Sequence, residues 1–361
     1  MTVLIAGGGT AGHVEPAMAT AAALLRRVPD ARVSAVGTRE GLEAQLIPAR
    51  GFELSFIPRV PLPRRPAVSV LTLPLRLRTA IKAVREVIER VQPDVVVGFG
   101  GYVALPAYLA ARRAKVPFVV HEANARPGLA NRIGSRMTRW VATSTPDSAL
   151  PHARFTGIPL RQAIVTLDRD ASRAAARALW QLDADRPTLL VFGGSQGADR
   201  INRAAAGSAK RLLELGFQVL HGAGRGNSVE VTALAGDPHY VVVPYIDNME
   251  QAYAAADLVL CRSGAMTCAE LAAVGLPAVY VPYPHSNGEQ EVNASLLVSA
   301  GGGMLIPDEE LSSHRVVDTI GPLLANGDLL DEMGRRAASL GHRDADERLV
   351  DMVLAAAGWP A

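Results

Sequence analysis

The sequence predicts an α/β protein made of two tandem Rossmann-like domains, each a doubly wound parallel sheet, that face a common cleft. Three observations support this fold class. Apolar strand-like runs alternate with Ala-rich helical patterns along most of the 361 residues. These runs are apolar without interruption, as parallel strands buried on both faces are. A unit of strand, glycine loop and helix occurs at the start of the chain and again at Leu190–Ala205.

Apolar segments in both halves of the chain are predicted strands. In the first half they are TVLIA, RVSAVG, DVVVGF, FVVHEA and WVATS. In the second half they are TLLVFG, QVLHGA, YVVVPY, LVLCRSG and AVYVPY. Because helical patterns separate them regularly, these strands are expected to pair in parallel, with helices on both faces of each sheet.

The boundary between the domains is predicted within the segment FTGIPLR, which is Phe155–Arg161. The first domain then comprises residues 1–160 and the second comprises 161–341. The C-terminal helix, within 342–361, could pack back onto the first domain. The chain is long enough for each domain to have a core of its own.

The net charge of +2 is distributed unevenly. Residues 1–160 contain 21 Lys/Arg and 10 Asp/Glu, whereas residues 161–361 contain 16 and 25. A basic half next to an acidic half indicates different partners for the two halves. No aromatic stacking platform or helix-turn-helix accompanies the basic half, so nucleic acid is not an expected partner. Two cysteines, without a visible targeting or membrane-spanning segment, fit a reducing compartment.

The first glycine loop, GGGTAGH, has the spacing G-x-G-x-x-G of a dinucleotide-binding loop. Such a loop offers backbone N–H groups to phosphate at the positive end of a helix. Binding of NAD also requires an acidic residue at the end of the second strand. Here that strand ends in AVGTREG, with Gly37 and Thr38 at the required place and Glu40 too late. The loop therefore predicts phosphate binding without NAD, and a purely structural packing role is the alternative.

The most specific stretch of the second domain is CRSGAMTCAEL, Cys261–Leu271. It predicts a strand, a turn at Ser263 that could cap a helix, and Glu270 two turns into that helix. The Glu270 carboxylate could accept both hydroxyls of a ribose. The alternative is a capping box formed by Thr267 and Glu270.

The chain contains, in this order, GGGTAGHVEPA, GFGGYV, HEANARPGLANR, GIPLR, GGSQGADRIN, YIDNM and RSGAMTCAEL. In this order and spacing it resembles the MurG family, bacterial glycosyltransferases of peptidoglycan synthesis with a GT-B fold. The resemblance implies transfer of N-acetylglucosamine (GlcNAc) from UDP-GlcNAc to the C4 hydroxyl of N-acetylmuramic acid (MurNAc) in lipid I, undecaprenyl-diphospho-MurNAc-pentapeptide. The product is lipid II. The first domain would bind the acceptor and the second domain the donor.

The resemblance also implies a set of donor-binding residues. They are Glu270 for the ribose, Ile246 and Arg161 for the uracil, Ser195, Gln196, Met266 and Thr267 for the diphosphate, and Asn124 and Gln290 for the sugar hydroxyls. The sequence departs from the family at Ala123 and at Glu289, where many members have glutamine. Because a carboxylate cannot donate a hydrogen bond, Glu289 can only accept from the sugar.

The acceptor and its diphosphate are expected to meet the first glycine loop and the GFGGYV turn. The residues concerned are Thr10, Ala11, Gly12, His13, Gly100, Gly101 and Tyr102. His13 is the first candidate for the catalytic base, since a helix N-terminus favours neutral imidazole. A cap or a phosphate ligand is its alternative role. Glu122 is the second candidate base, with orientation of a neighbour as its alternative role.

The donor has the α configuration and the product the β configuration, so a single inverting displacement suffices. Backbone amides at a helix N-terminus would stabilise the leaving diphosphate. No cofactor and no tightly bound metal are therefore expected. The Asp183/Asp185 and Asp344/Asp346 pairs match an Asp-x-Asp metal motif, but they are interpreted as solvated turns.

Residues 59–90 contain eight Arg/Lys against Glu86 and Glu89. This composition predicts peripheral contact with the anionic cytoplasmic face of the plasma membrane. The alternative is a solvated helix face whose leucines belong to the core. The interleaved apolar residues are Val70, Leu71, Leu73, Leu75 and Leu77.

Two other functions remain open at the level of the sequence. A UDP-GlcNAc 2-epimerase shares the two-domain architecture and the donor, but it would need no lipid acceptor. A non-catalytic UDP-sugar-binding protein would bind UDP-GlcNAc without turning it over.

Overall fold

A computed structural model describes residues 1–60, 73–229, 237–285 and 288–360. Within these residues the chain divides into two units. Unit 1 comprises residues 1–161 and 343–361, and unit 2 comprises residues 162–342. Arg161 therefore lies in unit 1, one residue beyond the boundary expected from the sequence.

Unit 1 contains a seven-stranded, all-parallel sheet in the order β3-β2-β1-β4-β5-β6-β7. Its strands are β1 (Thr2–Ala6), β2 (Arg32–Gly37), β3 (Glu53–Phe56), β4 (Val95–Gly98), β5 (Phe118–Glu122), β6 (Val141–Thr143) and β7 (Ala153–Phe155). Its helices are α1 (Ala11–Arg27), α2 (Glu43–Ala49), α3 (Leu73–Val91), α4 (Gly101–Ala114), α5 (Leu129–Gly134) and α14 (Ala345–Ala357).

Unit 2 contains a six-stranded, all-parallel sheet in the order β10-β9-β8-β11-β12-β13. Its strands are β8 (Thr188–Phe192), β9 (Gln218–Gly222), β10 (Tyr240–Val243), β11 (Leu258–Cys261), β12 (Ala278–Tyr280) and β13 (Gly303–Leu305). Its helices are α6 (Gln162–Val165), α7 (Arg169–Leu179), α8 (Asp199–Glu214), α9 (Met249–Ala255), α10 (Ala265–Val274), α11 (Glu289–Ser299), α12 (Ser313–Leu324) and α13 (Gly327–Ala338).

Both faces of each sheet are buried, which explains the uninterrupted apolar runs. In β1, Val3 and Ile5 belong to one core cluster of unit 1, and Leu4 and Ala6 belong to the cluster on the opposite face. Successive side chains of a strand point to opposite faces, so a strand covered on both sides must be apolar at every position.

The structure confirms all ten strands predicted from the sequence and adds three others. The three additional strands are β3, β7 and β13, and each lies at an edge of its sheet. Their residues are only partly buried, with no continuous buried run. The local apolar signal that identifies a central strand is therefore absent from them.

The C-terminal helix α14 packs on α1 and next to β4 and β5. Its apolar face joins the core cluster of unit 1 through Leu349, Val350, Val353 and Leu354. At its N-terminus, Asp346 accepts a hydrogen bond of 2.7 Å from Arg26 of α1. Apolar packing thus connects α14 to α1, together with ion pairs of Arg26 and Arg27 to three acidic residues of α14.

The interpretation of Asp344 and Asp346 as a solvated turn is wrong for Asp346, which is 2% exposed. The helix begins at Ala345, so Asp346 lies in its first turn and faces Arg26. Asp183 and Asp185 do form an exposed turn, in which the Asp183 carboxylate accepts from the Asp185 and Arg186 amides. Among the described residues, no helix combines the length and apolar character needed to cross a bilayer.

Leu349→Ala is expected to destabilise unit 1 by about 2–5 kcal/mol, because Leu349 is fully buried and its truncation leaves a cavity. Faster hydrogen exchange in peptides that contain β4 and β5 would measure the effect. Asp351→Ala on the exposed face of the same helix is the control, with an expected change below about 1 kcal/mol. Equal protection in the two variants would contradict this account of α14.

Candidate active site

The first glycine loop connects β1 to α1 at the carboxyl edge of the unit 1 sheet. Gly9 has φ +94°, a conformation that favours glycine. Thr10 is the N-cap residue but makes no side-chain cap, and its carbonyl accepts from the amides of His13 and Val14. Thr10 is exposed and Gly12 is partly exposed, so this end of α1 is accessible to a ligand. Ala11 begins the helix.

A second glycine turn, after β4, packs directly against this loop. Gly100 and Gly101 have φ +91° and +77°. A Cβ on Gly101 would overlap the carbonyl oxygen of Gly8, and a Cβ on Gly100 would lie 3.1 Å from Cε1 of His13. The sequence predicted both segments as ligand-binding loops, and their backbones meet because β1 and β4 are neighbouring strands.

The imidazole of His13 lies between the two loops. Its Nδ1 is buried and has no hydrogen-bond partner among the described residues. Burial lowers the pKa of His13, while a backbone hydrogen bond at Phe99 and the charge of Glu43 oppose this shift. The ring is therefore neutral near neutral pH, and a neutral ring with an unpartnered nitrogen can accept a proton.

Tyr102, in the first turn of α4, lies against the same loop. Its ring would be 3.4 Å from a Cβ on Gly9, and the guanidinium of Arg59 lies 4.3 Å above the ring. Tyr102 is partly exposed. It therefore lines the loop on the side of the second glycine turn.

Glu43, at the start of α2, was not identified from the sequence. Its Oε2 accepts a hydrogen bond of 2.8 Å from the Gly9 amide, and its Oε1 accepts from the amide and hydroxyl of Thr38 at 2.9 and 2.8 Å. No acidic residue stands at Thr38, at the end of β2, but the carboxylate of Glu43, five residues further along the chain, lies next to it. It binds the chain's own backbone, so the Gly9 amide is already occupied.

Glu122, at the end of β5, is buried and organises the loop that follows it. Its Oε1 accepts from the backbone and side-chain nitrogens of Asn124 at 2.9 and 3.3 Å. Its Oε2 accepts from the amide of Gly128 and from Nδ2 of Asn131, both at 2.9 Å. Burial raises the pKa of Glu122, and these hydrogen bonds oppose the shift. Both oxygens are engaged, which favours the role of orienting Asn124 over that of a proton acceptor.

Two arginine-rich features of unit 1 lie close to these loops. Arg161 is 4.0 Å from the carboxylate of Glu15, which also pairs with Arg50 at 2.9 Å. The lining of a pocket of about 440 Å³ includes Arg126 in the segment after β5, Arg132 on α5 and Arg136 just after α5. Arginine side chains are therefore concentrated near Glu15 and in the segment that follows β5.

The glycine loop of unit 2 connects β8 to α8 and contains Ser195 and Gln196. Gly197 has φ +72°, and a Cβ there would overlap the carbonyl oxygen of Ala223 in the loop after β9. Nδ2 of Asn227 donates to the carbonyls of Gln196 and Ala223 at 2.8 and 3.2 Å. These contacts fix the backbone of the loop, and Gln196 is exposed.

The segment after β11 begins α10, which carries Met266, Thr267 and Glu270. Gly264 is the N-cap of this helix and there is no side-chain cap. Capping by Ser263 is therefore not observed, and the buried Ser263 hydroxyl has no partner among the described residues. A capping box is excluded as well, because Thr267 lies inside the first turn. Met266 and Thr267 are partly exposed at this N-terminus.

Glu270 is 8% exposed and its Oε2 accepts a hydrogen bond of 2.8 Å from the hydroxyl of Tyr253 in α9. Ile246 is also buried, and its Cδ1 lies 3.0 Å from where a Cβ on Gly222 would be. Tyr253 belongs to no recognisable motif, so its role in orienting the carboxylate was not predicted from the sequence.

Glu289 and Gln290 begin α11, after Gly288 with φ +71°. Oε1 of Gln290 accepts from the backbone amide of Tyr283 at 2.9 Å. The amide oxygen of Gln290 is thus occupied, which leaves its NH₂ group to donate. Nδ2 of Asn293 donates to the carbonyl of Ser263 at 3.4 Å and links α11 to the turn before α10.

The structure groups the predicted residues by unit. Unit 1 contains Thr10, Ala11, Gly12, His13, Gly100, Gly101, Tyr102, Glu122, Asn124 and Arg161, and unit 2 contains Ser195, Gln196, Ile246, Met266, Thr267, Glu270, Glu289 and Gln290. Within the described ranges, no group of three or more His, Cys, Asp or Glu side chains has an arrangement that could bind a metal ion.

Comparison with known proteins gives matches in both units. Residues 3–143 match the N-terminal domain of glycosyltransferase family 28, and residues 188–349 match the C-terminal domain of that family.

Relatives match the chain over nearly its full length. A protein of Saccharopolyspora erythraea named UDP-N-acetylglucosamine–N-acetylmuramyl-(pentapeptide) pyrophosphoryl-undecaprenol N-acetylglucosamine transferase is 56% identical over 99% of this chain and 94% of its own length. The crystal structure of MurG from Acinetobacter baumannii is 29% identical, with a TM-score of 0.78, and covers 98% of this chain and 99% of its own. A UDP-GlcNAc 2-epimerase from Neisseria meningitidis is 16% identical, with a TM-score of 0.67, over 98% of this chain and 100% of its own. At that identity the epimerase shares the fold alone.

Gly101→Ala is expected to destabilise unit 1 more than Gly51→Ala. Both glycines have a positive φ, which costs alanine about 1–2 kcal/mol. No atom lies within 4 Å of a Cβ on Gly51, whereas a Cβ on Gly101 must displace the Gly8 carbonyl, at a further cost of about 1–3 kcal/mol. Denaturant unfolding of the two variants measures the difference. Equal losses would show that the two loops are not in close contact.

Proposed function

The chain belongs to glycosyltransferase family 28, and on that premise we propose that it transfers GlcNAc from UDP-GlcNAc to the C4 hydroxyl of MurNAc in lipid I, forming lipid II. Its two parallel-sheet units have the GT-B fold. The observation that carries the proposal is the 56% identity, over nearly the full length of both chains, to a transferase named for this reaction. The geometry of both units supports the assignment of roles below.

Unit 2 is proposed to bind the donor. The Glu270 carboxylate is oriented by Tyr253, and a carboxylate is a suitable acceptor for the two hydroxyls of a ribose. Gln290, whose oxygen is occupied by the Tyr283 amide, is suited to donate to a sugar hydroxyl. Glu289 would accept from the sugar, and Ile246 would contact the uracil. Asn124 and Arg161, which belong to unit 1, are also proposed as donor-binding residues.

The donor diphosphate is proposed to bind at the N-termini of α8 and α10, next to Ser195, Gln196, Met266 and Thr267. Neither helix has a side-chain cap, so its first amides are available to an anion. Amides in fixed positions stabilise the charge that develops on the leaving diphosphate without reorganisation.

Unit 1 is proposed to bind the lipid acceptor. Two glycine turns converge there, α1 begins without a side-chain cap, and Arg59 lies over Tyr102 beside the turns. Because Glu43 occupies the Gly9 amide and the Thr10 carbonyl occupies the His13 amide, the acceptor diphosphate would use the amides of Ala11 and Gly12. Gly100, Gly101 and Tyr102 would form the opposite wall.

In the proposed reaction, the C4 oxygen of MurNAc forms a bond with the anomeric carbon of GlcNAc while the bond from that carbon to the β-phosphate oxygen breaks. UDP leaves with the electron pair, and the configuration inverts from α to β. The proton of the attacking hydroxyl passes to His13, which is neutral because burial lowers its pKa. Glu122 would orient Asn124 towards the sugar.

We also propose that the protein contacts the membrane peripherally, at the cytoplasmic face, through part of residues 59–90. Residues 61–72, including Val70 and Leu71, lie outside the described residues. Leu75 is 70% exposed in the first turn of α3 and is followed by the exposed Arg76 and Arg78, whereas Leu77 packs against the core. Later in the helix the basic residues face glutamates at i+4. The N-terminal turns of α3 therefore carry the proposed contact.

The product of a reaction with labelled UDP-GlcNAc, with and without lipid I, tests the proposed function. We expect labelled lipid II and UDP only when lipid I is present, identified by mass spectrometry. Conversion of UDP-GlcNAc to its C2 epimer without acceptor would indicate an epimerase. Binding without turnover would indicate a UDP-sugar-binding protein.

His13→Ala is expected to lower kcat by ~10²-fold or more, because the attacking hydroxyl loses its proton acceptor. The donor affinity, measured by calorimetry, should be unchanged, since His13 is not among the residues proposed to bind the donor. In the wild type, activity should persist below the usual pKa of histidine and fall only as the pH drops through the lowered pKa of His13. Nearly normal turnover of the variant would remove His13 from the mechanism.

Arg76→Gln/Arg78→Gln is expected to weaken binding to anionic vesicles, at about 1 kcal/mol per basic residue. Vesicle sedimentation at low and high salt measures the effect. Arg203→Gln/Arg211→Gln removes the same charge from exposed positions of unit 2 and should leave binding unchanged. Wild-type binding that is insensitive to salt and to anionic lipid would contradict the proposed contact.

A further inference from the structure

Glu43 carries a buried carboxylate directly beneath the first glycine loop. It is 0% exposed, and its oxygens accept from three neutral donors: the Gly9 amide, the Thr38 amide and the Thr38 hydroxyl. In the described part of the chain no lysine or arginine pairs with it. A carboxylate buried without a cation is costly unless its hydrogen bonds are complete, so these bonds constrain the surrounding backbone strongly.

Three glycines provide the space that the Glu43 side chain occupies. A Cβ on Gly8 would lie 2.6 Å from Oε1, and a Cβ on Gly37 would lie 2.5 Å from Cγ. A Cβ on Gly41 would overlap the carboxylate itself. These glycines belong to the first glycine loop, to the end of β2 and to the segment before α2. One carboxylate thus connects three backbone segments, each of which approaches it too closely for a side chain.

The loop that Glu43 binds is the one that positions His13. The Gly9 amide donates a hydrogen bond to the Glu43 carboxylate, and the carbonyl of the next residue, Thr10, accepts one from the His13 amide. The groups that titrate near the imidazole are Glu43 from α2 and His121 from β5. The negative charge of Glu43 raises the pKa of His13, and burial opposes it.

We propose that Glu43 is a positioning residue for transfer: it fixes the first glycine loop in one conformation and places a negative charge beneath His13. The proposal rests on the proposed function, in which this loop receives the acceptor. The same contacts disfavour a dinucleotide in this loop. A dinucleotide would require the Gly9 amide and the space at the end of β2, and the carboxylate fills both.

Glu43→Gln tests the proposal because glutamine has the same shape without the charge. The NH₂ group must replace one carboxylate oxygen, so it faces either the Gly9 amide or the two Thr38 donors. In both orientations a buried donor meets another donor. We expect kcat to fall ~10- to 100-fold through displacement of the loop, with unchanged affinity for UDP in unit 2.

The pH profile separates positioning from simple loss of structure. Removal of the negative charge lowers the pKa of His13 further, so the acid limb of the kcat/KM profile should move to lower pH in Glu43→Gln. Thr38→Val removes one donor and keeps the charge. It should lower kcat by a smaller factor and leave the acid limb in place.

Hydrogen exchange of a peptide spanning residues 7–12 gives a readout that does not depend on activity. The Gly9 amide should exchange faster in both variants than in the wild type. Glu53→Gln, at an exposed position of β3, is the matched control and should change neither exchange nor kcat. This measurement stands even if the wild type transfers no sugar, so a failure of the proposed function is distinguishable from a failure of this inference.

Three results for Glu43→Gln would each overturn the proposal. They are unchanged hydrogen exchange of the Gly9 amide, an unchanged kcat, and a lower kcat without movement of the acid limb of the pH profile. If Glu43→Gln does not fold, the Thr38→Val variant tests the proposal instead. Faster exchange and a lower kcat at an unchanged melting temperature would then support the proposal, and wild-type values of both would overturn it.

Discussion

The close approach of two glycine turns at the carboxyl edge of one parallel sheet is the constraint on which the geometry of unit 1 depends. β1 and β4 are neighbours, so the loops that follow them leave the sheet side by side. Gly101 faces the carbonyl oxygen of Gly8 so closely that no side chain fits between them. This contact brings the start of α4 against the start of α1 and places the second glycine turn against the His13 ring. The position proposed for His13 as the proton acceptor therefore depends on the close backbone contact between Gly8 and Gly101.

Buried carboxylates fix the loops around this contact and in unit 2. Glu43 binds Gly9 and Thr38, Glu122 binds the segment from Asn124 to Gly128, and Glu270 accepts from Tyr253. Each lies close to the carboxyl end of a strand or early in the helix that follows one. A carboxylate can accept several hydrogen bonds at once, so it orders irregular backbone that cannot pair with itself. In the proposed reaction, Glu43 and Glu122 hold neighbouring loop segments in place, and Glu270 binds the ribose of the donor.

The glycine loops of the two units are secured by different means, and this difference matches the ligands proposed for them. In unit 1 a carboxylate occupies the Gly9 amide, which limits the anion to later amides. In unit 2 the loop is secured by close backbone contact of Gly197 with Ala223 and by the Asn227 side chain. No carboxylate oxygen accepts from that loop within the described residues, so its amides remain suited to a nucleotide diphosphate.

The sequence by itself determined the fold class, the central strands and the family. Central strands are buried on both faces, so their apolar runs are local signals that any reader of the sequence can find. The edge strands β3, β7 and β13 are three or four residues long and have no run of β-branched residues, whereas the edge strand β10 keeps the run YVVV and was predicted. Only the tertiary structure assigned Glu43 to Gly9, a partner 34 residues away, and moved Asp346 from a solvated turn to a pair with Arg26. Such contacts depend on which strands become neighbours, and that choice is made by the whole sheet rather than by any local segment.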